Sequence, residues 1–289
     1  MSGRLTNTRN DPGAEPVNFT DAISDSFDGQ AAIFDHRAGL PAEHCRNIAD
    51  AVVEISKAVE GDLIFEIGSG TGQIGQWFSA RMLYLGLDKS AQMLREFQHR
   101  FDGGAVDRIL IRADANASWP LANASARVIF SSRTMHRLNL EHVASEVFRV
   151  ASPDGATLII GRVERDPASV KAQLSKQMNE RLRQHGFEGR RGEQRGRKLF
   201  EICRQRGAEI VEPITVANWK VLASPEQSLD SWRCVAGLGG ISIPTETKDE
   251  ILKELEVWAK KVFGRLDQQF ESDETYTLSP LRVPPAQAD

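Results

Sequence analysis

Cysteine is scarce in this 289-residue chain. Cys45, Cys203 and Cys234 are an odd number at distant positions, without C-x-x-C spacing. That argues against a disulfide framework and against a zinc site, so no metal is expected. Long apolar runs are missing too: no stretch approaches the roughly 18 consecutive apolar residues of a membrane-spanning helix. Asp11, Pro12, Gly13 and Pro16 stand where a signal peptide needs an apolar core. The chain therefore reads as a reduced, soluble, cytoplasmic protein with no membrane partner. Nor is there an excess of positive charge. Lys and Arg number 36 against 40 Asp and Glu, a formal net charge of −4, so no global basic field attracts nucleic acid.

What is present is a globular composition, 40% hydrophobic and 26% charged. Residues 1–18 and the tail 284–289 lack hydrophobic periodicity and read as disordered. Between them, short apolar runs alternate with amphipathic stretches. A helix over Pro41 to Val59 (Ile48, Val52, Ile55) precedes a strand at Leu63 to Ile67. A second helix through Ile74, Trp77, Phe78 and Met82 leads to a strand at Leu83 to Leu87, and a third through Met93 and Phe97 leads to a strand at Ile109 to Ile111. Strands follow at Arg127 to Phe130 and Thr157 to Gly161, with a helix through Val143 and Val147 between them. This rhythm predicts an α/β fold with a doubly wound, mostly parallel sheet over residues 19–166.

After Gly161 the rhythm changes. Residues 167–272 read as a helical cap interleaved with late core elements, including a strand over Glu209 to Val216. A last core strand lies within 273–283.

The first strand runs into Glu66-Ile67-Gly68-Ser69-Gly70-Thr71-Gly72. Alternate glycines directly after a buried strand let the backbone turn sharply and approach a ligand with no Cβ in the way. A dinucleotide fingerprint, G-x-G-x-x-G, is also present at Gly70, Gly72 and Gly75, but its first glycine comes two residues late. An acid at the strand end, Glu66, aimed at the ligand, suits an amino-bearing or cationic ligand better than a pyrophosphate.

The stretch Glu66 to Gly72 resembles the E/D-x-G-x-G-x-G motif of the class I S-adenosylmethionine-dependent methyltransferases. Val150 to Gly155 resembles a second stretch of that family, with Ala151 and Asp154 as departures. The resemblance implies S-adenosyl-L-methionine as cofactor, held by Glu66, Gly68, Ser69, Gly70 and Gly72. It places Asp88 on the ribose hydroxyls, with Lys89 and Met93 beside it. Asp114 would meet the adenine amino group, and the backbone of Ala115 its ring. Phe27 to Arg37 resembles an N-terminal helix that folds over the cofactor, with Arg37 on the methionine carboxylate.

Ser131 to Leu138 lies at the carboxyl edge and resembles the S-x-x-x-x-H-x-L stretch of small-molecule methyltransferases. It puts Ser131 at the cofactor and His136 where a general base would stand, with a proton affinity suited to neutral pH. The segment Arg181 to Lys198 carries seven Lys or Arg against two Asp or Glu. It reads as a solvated lid, or as a local basic site for an acceptor or RNA. The expected function is methyl transfer to a small molecule. The alternatives are an RNA or protein methyltransferase working through 181–198, and a non-catalytic S-adenosylmethionine-binding regulatory protein.

Overall fold

The computed structural model describes Ala31, Phe34, Asp35 and residues 39–100, 108–187 and 192–285. The expected disordered N-terminus, the end of the tail, Arg37 and residues 188–191 of the basic segment lie outside the described residues.

Five strands, Leu63–Ile67 (β1), Leu83–Asp88 (β2), Arg108–Arg112 (β3), Val128–Ser132 (β4) and Ala156–Arg165 (β5), pair in parallel in the order β3-β2-β1-β4-β5. Near-continuous apolar runs such as Leu-Ile-Phe in β1 and Val-Ile-Phe in β4 can be buried on both faces, and Ile64, Phe65, Val128 and Ile129 are fully buried. Chain direction across the sheet reverses between β1 and β4. The carboxyl ends of these strands therefore bound a crevice.

Helix Ala42–Ser56 (α1) covers one face, placing Ile48 and Val52 in a core with Ile64, Val128 and Ile159. Helix Leu140–Val150 (α3) covers the other with Val143 and Val147 against Phe65, Ile129 and Leu158. Helix Ala91–His99 (α2) follows β2 and contributes Phe97 to the first of these cores. Side-chain caps start two of these helices: Ser90 Oγ accepts the Met93 amide of α2, and Asn139 Oδ1 accepts the Glu141 and His142 amides of α3.

The expected second helix is not an α-helix. Only a 3-10 turn, Gly75–Trp77, forms between β1 and β2. Arg108, arriving from β3, donates to the carbonyls of Gly75, Gln76 and Phe78, acceptors that an α-helix would have used for its own amides.

In the second half come helices Val170–Gln184 (α4) and Gly192–Gln205 (α5), strands Glu209–Ile210 (β6) and Ile214–Ala223 (β7), helices Pro225–Arg233 (α6) and Thr245–Phe263 (α7), and the long strand Phe270–Val283 (β8). The expected strand from Glu209 to Val216 is two strands, because Pro213 between them has no amide to offer a ladder. β8 returns to the sheet antiparallel to β5, and its other edge pairs with β6 near one end and β7 along the rest. α5 buries Leu199, Phe200 and Cys203 in the same core as α3, so it covers the sheet and is not part of a solvated lid. α4, α6 and α7 instead share clusters of their own, built from Leu182, Leu229, Ile251 and Leu255, and from Leu174 and Ala259. Trp232 and Trp258 pack there, whereas Trp219 lies on β7 and stacks on His44. Among the described residues no helix is long and apolar enough to cross a membrane.

Candidate functional site

The glycine loop leaves β1 with Gly68, Gly70 and Gly72 at φ +71°, +55° and +77°, the left-handed region that glycine enters without steric cost. The three glycines serve different purposes. A Cβ at Gly68 would strike Thr134, and one at Gly72 would enter the ring of Phe97, so these two let the loop pack between the end of β4 and α2. A Cβ at Gly70 would meet nothing. The backbone at Gly70 thus faces open space at the crevice, a cradle suited to a small ligand lying along the loop.

Asp88, at the end of β2, forms the rim. Its Oδ2 accepts the Gly70 amide and its Oδ1 the Ser90 amide, each at 2.9 Å. Next along the rim, Lys89 Nζ lies 3.6 Å from Asp114 Oδ2, joining the ends of β2 and β3. The amide of Asn116 donates to Asp114 Oδ1, and with Lys89 it holds the Asp114 carboxyl below its ordinary range. The structure therefore brings Gly70, Asp88, Lys89 and Asp114 to one edge. Met93 and Ala115 are buried just behind it.

Three residues expected at the ligand turn inward. Glu66 is 2% exposed, and its Oε2 accepts the Tyr84 hydroxyl at 2.5 Å beneath the loop, close to Gly75. Burial is the main cause that pushes its carboxyl up to about 8. The side chain thus supports the loop from below, which corrects the expectation that it is aimed at the ligand. The Ser69 hydroxyl is likewise buried, towards Gly86. Ser131 is fully buried and donates to the Ile67 carbonyl at 2.9 Å, locking the end of β4 to the end of β1.

His136 sits in the 3-10 turn Met135–Arg137 that follows β4, half-buried. Thr134, two residues before it, abuts Gly68, so this turn stands beside the glycine loop. Arg195 of α5 donates to the carbonyls of Met135 and Leu138 on either side of His136. That part of the basic segment is engaged in holding the turn. Arg204 pairs with Glu201, and Arg206 with Glu141.

Sequence reasoning missed the contacts that close the loop from the N-terminal side. Asp35 accepts the Thr71 hydroxyl at 2.6 Å and pairs with Arg100, the residue that ends α2. The Leu40 amide donates to Gln73 Oε1 at 3.1 Å. It also missed Arg133, whose backbone is left-handed at φ +59°, and Tyr276 of β8, whose hydroxyl lies 2.7 Å from Ser132 Oγ. None has a local signal, since each partner is distant in sequence.

Residues 64–155 match the family model of a methyltransferase domain. No curated protein matches the sequence. Among solved structures, YcgJ of Bacillus subtilis is similar with a TM-score of 0.51 at 15% identity, covering 82% of this chain and 97% of that one. A candidate methyltransferase of Bacillus halodurans gives 0.53 at 13% identity, covering 82% and 98%. The [4+2]-cyclase SpnF gives 0.54 at 15% identity, covering 89% and 93%. Identities this low establish a shared fold. The cyclase among them shows that the fold alone does not fix the reaction.

Proposed function

We propose that the protein is a class I S-adenosylmethionine-dependent methyltransferase that transfers a methyl group to a small-molecule acceptor at the carboxyl edge of β4, a reading supported by the match of residues 64–155 to a methyltransferase domain. When bound, S-adenosylmethionine supplies an electrophilic methyl group on a sulfonium. The chain's own work is to bind, align and exclude water. The open backbone at Gly70 fits the amino-acid part of the cofactor, and Asp88 fits its ribose hydroxyls. Asp114 and the backbone of Ala115 fit the adenine. The Thr71–Asp35 contact ties the N-terminal segment across the loop, where Arg37 would reach the methionine carboxylate. His136 would take a proton onto an imidazole nitrogen from an acceptor that must lose one.

One observation carries the small-molecule reading. The turn that holds His136 is enclosed, with Met135 and Leu138 buried and Arg195 clamping it from α5. An open basic groove for RNA at this turn would need Arg195 facing outward, and a stacking platform. The cap formed by α4, α6 and α7 within 167–272 would complete the acceptor side.

A labelled-methyl transfer screen over metabolite, nucleic acid and protein fractions tests this. Label in a metabolite is the expected result. Label in RNA or protein would overturn the acceptor class, and binding of S-adenosylhomocysteine without any transfer would support the regulatory alternative.

A further inference from the structure

β4 ends at Ser132 opposite Gly161, but β5 continues through Arg162–Arg165 against β8, raising a short wall above the carboxyl edge. Strand alternation puts Gly161, Val163 and Arg165 on the face that α1 covers. There Arg165 Nε lies 2.8 Å from Glu274 Oε1, and Lys171 Nζ, from the start of α4, lies 3.5 Å from the same oxygen. Glu274 is buried, while both cations remain partly exposed.

Arg133 approaches this group from the other side. It follows β4 directly, and its amide donates to the Gly161 carbonyl at 3.1 Å. Its guanidinium stands over the Phe34 ring at 5.8 Å and reaches Gln73 Oε1 at 3.4 Å, so it lies between the glycine loop and the β5–β8 wall. Burial lowers its pKa first. The nearby charge of Arg165 lowers it further, whereas Tyr276, Cys45 and Glu274 oppose that effect. Two features are costly without a function. A half-buried arginine is held in a left-handed backbone, and a second guanidinium stands close enough to disfavour its charge. Arg165 and Lys171 share the Glu274 carboxylate, and Arg133 lies near enough to feel its charge. The floor is fixed by the Tyr276–Ser132 hydroxyl pair, and Gly161, with no Cβ, admits the phenol.

We infer that the methyl acceptor carries an oxyanion, a carboxylate or a phosphate group, that is bound by Arg133 and Arg165 at the carboxyl edge of β4 and β5. A planar guanidinium fork matches either group with two parallel hydrogen bonds. Arg133 belongs to the loop that leads to His136, so an anion held there would set the rest of the acceptor beside that turn. The inference rests on the methyl-transfer reading.

Calorimetry on the complex with S-adenosylhomocysteine tests it, using benzoate against benzamide and phenyl phosphate against phenol. Within each pair the shape is similar and the charge differs. The charged member of one pair should bind at least about tenfold more tightly than its neutral partner, and which pair shows this assigns carboxylate or phosphate. In Arg133→Met and in Arg165→Gln the preference should fall to about twofold or less while the affinity for S-adenosylhomocysteine stays within about twofold. Equal binding of charged and neutral members, no binding of either anion, or a preference that survives both substitutions would overturn the inference. So would a parallel loss of S-adenosylhomocysteine binding in Arg133→Met, which would make that guanidinium a cofactor ligand. Arg165 is partly exposed, so its variant decides the matter if Arg133→Met does not fold. A wild-type protein that fails to bind S-adenosylhomocysteine would defeat the methyl-transfer reading itself, a different outcome from loss of the charge preference.

Discussion

Asp88 accepts the amide of Gly70 at 2.9 Å, so the acid at the end of β2 holds in place the loop that leaves β1. Its other oxygen accepts the Ser90 amide at the start of α2. One carboxylate therefore fixes two backbone segments and still presents acceptor lone pairs at the rim.

Replacing Asp88 with Ala should weaken S-adenosylhomocysteine binding by about 1–3 kcal/mol, the usual loss for a charge-assisted hydrogen bond. The sheet should survive, because Asp88 lies at a strand end and not in either core. Calorimetry with a parallel thermal melt separates the two effects. Unchanged affinity in a folded variant would remove Asp88 from the cofactor site.

Gly70 and Gly72 should respond differently to the same substitution. Each sits at positive φ, so alanine costs about 1–2 kcal/mol of backbone strain at either position. At Gly72 the new Cβ also enters the Phe97 ring, adding overpacking of about 1–3 kcal/mol. At Gly70 it meets only open space. Gly72→Ala should lower the melting temperature sharply, whereas Gly70→Ala should lower it by only the few degrees that the strain accounts for and should lose cofactor binding. Melting curves with and without S-adenosylhomocysteine read both effects.

Glu66 gives the protein a specific pH dependence. Its folded-state carboxyl is raised from 4.5 to about 8, so between those values the folded protein keeps a proton that the unfolded chain has lost. Stability must then fall as pH rises through that window, with a slope of at most about 1.4 kcal/mol per pH unit from this group, and level off above it. Glu66→Gln should flatten this part of the profile while still accepting the Tyr84 hydroxyl, and should gain on wild type towards the alkaline end. Urea unfolding across the pH range measures the difference. Parallel profiles would mean that Glu66 is ionised in the folded state.

The elements visible in the sequence are those whose causes are local. Alternate glycines after an apolar run fix the loop whatever surrounds it. Acids at strand ends mark the rim, since register alone places Asp88 and Asp114 there. The apparent helix through Ile74 and Phe78 failed for a non-local reason, because Arg108 of β3 takes its carbonyls. Glu66 was legible as a motif residue but not in its direction, which depends on Tyr84 one strand away. The chain has two tyrosines, and both are buried with bonded hydroxyls, to Glu66 and Ser132. Both partnerships cross between strands, so no window of sequence contains them. The basic segment misled because composition shows charge and not its use. Arg195 is committed to the His136 turn, and Arg181 pairs with Glu254 of α7.

The strap across the loop should govern how long the cofactor stays. Thr71 donates to Asp35 at 2.6 Å, and this contact joins the N-terminal segment to the loop. Thr71→Val keeps the shape and removes the donor. Dissociation of S-adenosylhomocysteine should accelerate by about 5- to 10-fold, corresponding to roughly 1–1.4 kcal/mol for a partly buried bond to a charged acceptor. Stopped-flow displacement measures the rate, and an unchanged rate would show that the strap does not close over the cofactor.

His136 and Arg195 form a pair whose roles can be separated. If His136 takes the acceptor's proton, His136→Ala should slow the chemical step by about 10²- to 10⁴-fold and leave cofactor affinity nearly unchanged. The single-turnover pH profile should also lose an ionisation near neutrality. Among the described residues Arg195 hydrogen-bonds to the carbonyls of Met135 and Leu138, so it is assigned to positioning the turn and not to proton transfer. Arg195→Gln should therefore lower the rate more mildly while keeping that ionisation in the profile. Equal effects of the two substitutions, with the neutral ionisation retained in both, would make His136 another support of the turn and leave alignment alone to drive the transfer.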